Sequence, residues 1–172
     1  MVGLMVEPLS LKQIRKLVAC IKGALGISAG YVDIVRVYEH LLQEIGIDVE
    51  IVPQVEMGNK HAETILGKNT IRIREDVYNQ ACAGYGRDRF TLAHELGHLL
   101  LHRIDNVSLA RNRQTTVAAF CDPEWQANAF AGEFLAPYDQ VKKMEIPDIV
   151  NTYGITDIAA RVQKYRRKNG GL

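Results

Sequence analysis

Residues 94–98 read His94-Glu95-Leu96-Gly97-His98, and this spacing constrains the chain more than any other stretch of it. Side chains four positions apart come together on an α-helix, with Cβ atoms about 5–6 Å from each other. Two imidazoles placed in this way can converge on one Zn²⁺ at about 2.0–2.1 Å. Glu95 follows the first histidine directly, so it flanks such a metal without ligating it and is placed as a general base towards a water held there. With 5 His and 11 Glu in 172 residues, composition alone would produce about 0.01 matches to H-E-x-x-H. The rest of the chain must therefore supply a helix at this place and a third ligand.

Leu92, Leu96, Leu99 and Leu100 recur at i, i+4, i+7 and i+8 and predict a helix from about Asp88 to His102. Gly97 is its one internal breaker. A glycine there costs about 1 kcal/mol against alanine, so a strand or helix packing closely against it is expected. The two histidines lie off the leucine stripe, where a buried face meets a cleft. The bland alternative is a pair of partly buried, hydrogen-bonded histidines.

A catalytic zinc usually takes three protein ligands and keeps one position open. Asp122 suits an N-cap, Pro123 the first helical position and Pro137 a stop, so a second helix should begin just before Glu124. Glu124, Ala127, Asn128 and Ala131 share one face, small enough for close approach to the first helix, while Phe130 and Phe134 read as core. Glu124 thus completes a His-His-Glu set, although a carboxylate at a helix N-terminus is also favoured by the dipole alone. Asn128 could support a ligating histidine through its free ring nitrogen. Glu133 lies nine residues on, about half a turn away in azimuth, and cannot face the same metal.

Two blocks carry a family resemblance. Arg89-Phe90-Thr91-Leu92-Ala93-His94-Glu95-Leu96-Gly97-His98-Leu99-Leu100-Leu101-His102 is followed by Glu124-x-Gln126-Ala127-Asn128-x-Phe130-Ala131-x-x-x-Leu135-x-Pro137. Together they resemble the ImmA/IrrE family of metallo-endopeptidases, gluzincin-like enzymes of bacteria, phages and mobile elements, over roughly residues 30–165. The resemblance implies that His94, His98 and Glu124 bind the metal, zinc with Mn²⁺ as a substitute, and that Glu95 is catalytic. It also implies a cognate protein substrate, an Xre-type helix-turn-helix repressor of a phage, mobile element or stress regulon. The alternative is a non-proteolytic toxin or sequestering partner of an Xre-type antitoxin. An intact Glu95 speaks for the enzyme, since a structural zinc has no use for a base. The sensor domain of some larger members is not expected here. As donors for an oxyanion, Tyr85, His102 and Tyr138 qualify by residue type.

The expected fold is α+β: helices around a small, mainly antiparallel sheet, zincin-like, with the active site between the H-E-x-x-H helix and the Glu-bearing helix. A single domain over 1–172 is expected, with N-terminal helices over 1–46, a catalytic core over 47–137 and C-terminal helices over 138–172. A net charge of +1 is too balanced to make nucleic acid the direct partner. No apolar run approaches the ~18 residues of a membrane span, and Met1 to Val6 lacks the basic start of a secretory signal, so the cytoplasm is the expected compartment. Cys20, Cys82 and Cys121 are odd in number and widely spaced, which argues against a disulfide framework. Cys121, three residues before Glu124, reads as a small buried cysteine rather than a fourth ligand.

Along the chain, Ser10 caps an amphipathic stretch carrying Leu11, Ile14, Leu17, Val18, Ile21 and Leu25 that ends at Gly26. Val32, Val35, Tyr38, Leu41, Leu42 and Ile45 repeat the pattern up to Gly46. Asp48 to Val52 alternates as a strand, and Thr64 to Ile73 reads as a hairpin turning near Gly67 to Asn69. Arg72 and Arg74 are taken as that strand's solvated face. Asn79 to Arg87 is glycine-rich and reads as a flexible loop over the cleft, and Asp105 to Cys121 as a mobile segment or a lid. Thr156 caps a last helix carrying Ile158, Ala159, Val162 and Tyr165, whose basic end at Arg166-Arg167-Lys168 suits the helix dipole.

Overall fold

The computed structural model describes residues 5–102, 107–108 and 118–166. In chain order these form β1 (Met5–Val6), α1 (Leu11–Ala24), α2 (Ile34–Arg36), a π-helical turn (Val37–Leu41), α3 (Leu42–Glu44), β2 (Asp48–Val52), α4 (Gln54–Met57), β3 (Ala62–Ile65) and β4 (Thr70–Arg74). They continue with α5 (Glu75–Cys82), α6 (Gly86–Leu101), β5 (Val107–Ser108), α7 (Pro123–Leu135), α8 (Tyr138–Val141), α9 (Ile146–Tyr153) and α10 (Asp157–Tyr165). The fold is α+β. Most of the expected lid over 105–121, and the basic end beyond Arg166, lie outside the described residues.

Local signals account for the helices at the N-terminus. Ser10 Oγ accepts from the Gln13 N–H at 3.3 Å and Gln13 Oε1 accepts from the Ser10 N–H at 2.9 Å, a reciprocal capping box that starts α1. Leu11, Ile14 and Val18 are buried, whereas Leu17 is left 40% exposed. The second expected helix forms with a π-helical turn in its middle. Tyr38 on that turn is buried and donates its hydroxyl to the Leu92 carbonyl of α6 at 2.7 Å.

The three-stranded sheet has the order β2-β4-β3, with β2 parallel and β3 antiparallel to β4, so it is mixed. The β3–β4 hairpin turns through Leu66–Lys68, and Asn69 takes the left-handed conformation there at φ 51°. Ile71 and Ile73 face the core. On the other face Glu50 and Glu63 stand directly across from Arg72, which pairs with both and with Glu56. The reading of Arg72 and Arg74 as a solvated face therefore needs correcting. Arg72 is half-buried among three carboxylates, and Arg74 is buried, gripping Asp76 with two nitrogens and donating to the Lys60 carbonyl at 3.3 Å. Three acceptors within reach offset the desolvation of its charge.

The glycine-rich loop expected over 79–87 is also corrected. Asn79 to Cys82 belong to α5 and Gly86 opens α6, which leaves Ala83 to Tyr85 as the connection. Gly86 is needed for close packing, since a Cβ there would come within 2.8 Å of the Ile155 backbone. From α6, the fully buried Arg89 donates to the Val32 carbonyl at 2.7 Å and to the Tyr153 and Gly154 carbonyls that end α9. It sits where the negative end of the α9 dipole favours a cation. The last helix, α10, is capped by Thr156 as expected, but Ile158, Val162 and Tyr165 on it are exposed while Ala160 and Gln163 are buried.

A candidate metal centre between two helices

The helix that carries H-E-x-x-H runs longer than the motif, from Gly86 to Leu101, and buries Leu92, Leu96 and Leu99. Its partner α7 begins where the cap and proline placed it: Asp122 Oδ1 accepts from the Glu124 N–H at 2.9 Å. The close neighbour that Gly97 required is Phe130 of α7, whose ring atoms would lie 3.1 to 3.2 Å from a Cβ at that position. Absence of a side chain at Gly97 thus sets how near α7 comes, and hence how near Glu124 comes to the histidines.

His94, His98 and Glu124 are brought together. The Nε2 atoms of the two histidines are 2.9 Å apart, Glu124 Oε2 is 3.3 Å from His94 Nε2, and Glu124 Oε1 is 3.3 Å from His98 Nε2. Donor atoms around a tetrahedral zinc with ligand distances of about 2.0–2.2 Å are roughly 3.3–3.6 Å apart. Each imidazole nitrogen thus has a different Glu124 oxygen at about that separation, and one ligand atom from each of the three residues lies within 4.8 Å of the others, so two nitrogens and a carboxylate can close on a Zn²⁺-sized cation. Among the described residues, Cys121 does not join the group. It is buried at the end of the turn before α7.

His98 sits in the protonation state that a metal requires. Burial, with His94 and His102 adding to it, pushes the His98 imidazole down to about 3, so it is neutral at pH 7 with a lone pair to offer. Each ring is also held on its far side. His94 Nδ1 lies 3.2 Å from Asn128 Oδ1. His98 Nδ1 lies 3.1 Å from His102 Nδ1, and His102 Nε2 lies 3.1 Å from Gln126 Oε1.

Glu95, beside the first histidine, meets the sheet edge. Thr64 on β3, the outer strand, places its hydroxyl 2.7 Å from Glu95 Oε2 and 3.0 Å from the Glu95 carbonyl. Burial raises the Glu95 carboxyl above the ordinary carboxylate range, while the Thr64 hydrogen bond and the His94 charge pull it back. Thr64 escaped the sequence analysis because threonine is among the residues ordinarily enriched in strands. Nothing local marks one that reaches a carboxylate 31 residues on.

The three oxyanion candidates stand in different surroundings. Both ring nitrogens of His102 are engaged and the residue is buried. Tyr85 precedes His94 by nine helical residues, about 13 Å along the axis. Tyr138 lies just past the far end of α7, with the Arg15 guanidinium 4.3 Å from its ring centre. Beside the metal set, Asn128 also borders an open groove of about 460 Å³ walled by Phe90, Thr91, Gly132, Ile158 and Val162.

Among the described residues no helix is long and apolar enough to cross a membrane. No curated protein matches the chain. The family model for the IrrE N-terminal-like domain, a peptidase family designated M78, matches residues 42–163 and so takes in both signature helices, the hairpin and most of α10. On this match, and with a metal-sized ligand set lying on the two helices it spans, the chain belongs to the IrrE N-terminal-like family of metallopeptidases.

Proposed function

We propose that this protein is a zinc-dependent endopeptidase, with Mn²⁺ as a working substitute, that cuts one regulatory protein of the Xre helix-turn-helix type. The observation that carries the catalytic part is Glu95: a carboxylate on the same helix as His94 and His98, directly following the first of them. A zinc ion held by His94, His98 and Glu124 supplies Lewis-acid polarisation of a carbonyl and acidifies water when bound. Glu95 takes the proton from the attacking water and returns it to the leaving amine nitrogen. Burial strengthens it as a base, and Thr64 keeps one of its oxygens fixed so that the other works from a constant position.

Two features favour a folded-protein or extended-peptide substrate over a small molecule. The β3 strand is a sheet edge beside Glu95, whose free backbone groups can pair with an extended segment. The groove between α6, α7 and α10 offers apolar walls to side chains of that segment. The Xre partner follows from the family resemblance.

The test is to incubate zinc-loaded protein with casein and with any Xre-type repressor encoded beside it. Single-site cutting of the repressor with casein intact supports the reading. Rapid multi-site digestion of casein overturns the single-substrate part, and binding without cleavage favours the sequestering or toxin reading.

A further inference from the structure

His94, His98 and His102 follow each other at four-residue intervals, the last as the residue that ends α6, yet His102 stands behind the ligand set rather than in it. Its surroundings form a one-way chain of hydrogen bonds. Gln126 is fully buried on α7, and its amide nitrogen donates to two backbone carbonyls, Glu7 O at 2.8 Å and Phe120 O at 2.7 Å. Carbonyl oxygens only accept, so the amide cannot flip without setting its own oxygen against both. Gln126 Oε1 therefore faces His102 Nε2 and can only accept, which places the His102 proton on Nε2. A neutral imidazole carries one N–H, so His102 Nδ1 holds a lone pair towards His98 Nδ1, 3.1 Å away. That contact is a hydrogen bond only if His98 Nδ1 donates. The consequence is that His98 Nε2, the atom facing His94 and Glu124, is bare.

We propose that His102 and Gln126 are positioning residues that lock His98 in the Nδ1–H tautomer, so that its ligating nitrogen is ready before any metal arrives. The inference rests on the reading of His98 as a metal ligand. The orientation originates in two main-chain carbonyls from the segments preceding α1 and α7. The metal site is thereby tied to the correct docking of both. His94 has no such lock: its partner Asn128 is exposed, and an exposed amide can turn over. The two ligating histidines should thus differ, one preset and the other adjusting.

Long-range ¹H–¹⁵N spectra of the full, histidine-labelled chain without metal decide this directly. The expected result is protonated Nδ1 and bare Nε2 on His98, with protonated Nε2 on His102. A metal-free wild type with His98 mainly protonated on Nε2 overturns the proposal. Zinc competition with a chelator supplies the second readout. His102→Phe and Gln126→Leu should weaken zinc binding by about 10–100-fold, and His102→Asn, which keeps an acceptor near the Nδ1 position, should restore most of it. Wild-type affinity in both His102→Phe and Gln126→Leu overturns the lock. His98→Ala and Glu124→Ala run alongside: if these keep tight zinc, the ligand set itself is wrong, and if they lose it while His102→Phe does not, the lock alone falls. Urea midpoints of the metal-free variants identify any that fail to fold, in which case the wild-type spectra and His102→Asn still decide.

Discussion

At the first turn of α7 the Glu124 side chain is 66% exposed and turned towards two imidazoles, while near its last turn the Glu133 side chain is 4% exposed. Glu133 has spent its oxygens within the protein: Oε1 accepts from Arg15 at 2.8 Å and Oε2 from the Tyr138 N–H at 3.1 Å. Glu124 keeps its carboxylate at the surface, paired with histidines that a cation would draw in with it. One helix thus serves a site at one end and a scaffold at the other, with the same residue type in both. What separates them is desolvation. A buried carboxylate has to be satisfied internally or it costs several kcal/mol, whereas one at the surface can hold its lone pairs for a ligand from outside. Phe130 and Phe134 of the same helix, stacked 5.4 Å apart, belong to the core.

If this division holds, substitutions at the two ends act on different observables. Glu124→Ala should have the largest effect, taking zinc content from about one ion per chain to near none with the metal-free stability unchanged. Elemental analysis after chelator-free gel filtration checks it, and full retention of tight metal would transfer the ligand role elsewhere. Glu95→Gln should lose about 10²–10⁴-fold in cleavage rate with zinc content and melting temperature preserved, because an amide cannot accept the proton. Cleavage of the cognate repressor at wild-type rate would break the proposed mechanism.

At the other end, Glu133→Leu should lower unfolding free energy by about 2–4 kcal/mol, towards the low side because Arg15 is partly exposed and can turn to water. Urea denaturation of the metal-free chain measures it. Loss of zinc at unchanged stability would erase the distinction between the two ends. A smaller effect is expected for Thr64→Val, which removes a hydrogen bond of about 1 kcal/mol and so should slow cleavage roughly fivefold, with Thr64→Ser recovering it. The smallest is Ile158→Ser on the exposed face of α10, within about 0.5 kcal/mol of wild-type stability. A clear drop in repressor cleavage at unchanged stability would then show that the groove contacts substrate.

Much of this architecture was legible one segment at a time. The caps at Ser10, Asp122 and Thr156 started helices where their side chains reach the free N–H groups of the first turn, an effect confined to four residues. The H-E-x-x-H spacing placed two imidazoles together because helical geometry leaves no other arrangement. A glycine in that helix announced a close neighbour without saying that it was Phe130. Periodicity located the apolar stripe of α10, yet it carries no information on whether another element covers that stripe, and Ile158 and Val162 are left exposed. Arg74 reads as polar and hence external, but its burial depends on carbonyls from the loop before β3.

What the sequence by itself determined is therefore the set of contacts closed within one or two helical turns: the capped helix starts, the paired histidines and the forward position of Glu124. Tertiary structure alone decided which distant groups complete them. Thr64 meets Glu95 across 31 residues and His102 meets Gln126 across 24, through the packing of β3 and α7 on α6. A hydrogen bond between such partners needs its donor and acceptor within about 3 Å and aligned, and that precision comes from the packed core that holds all three elements at once.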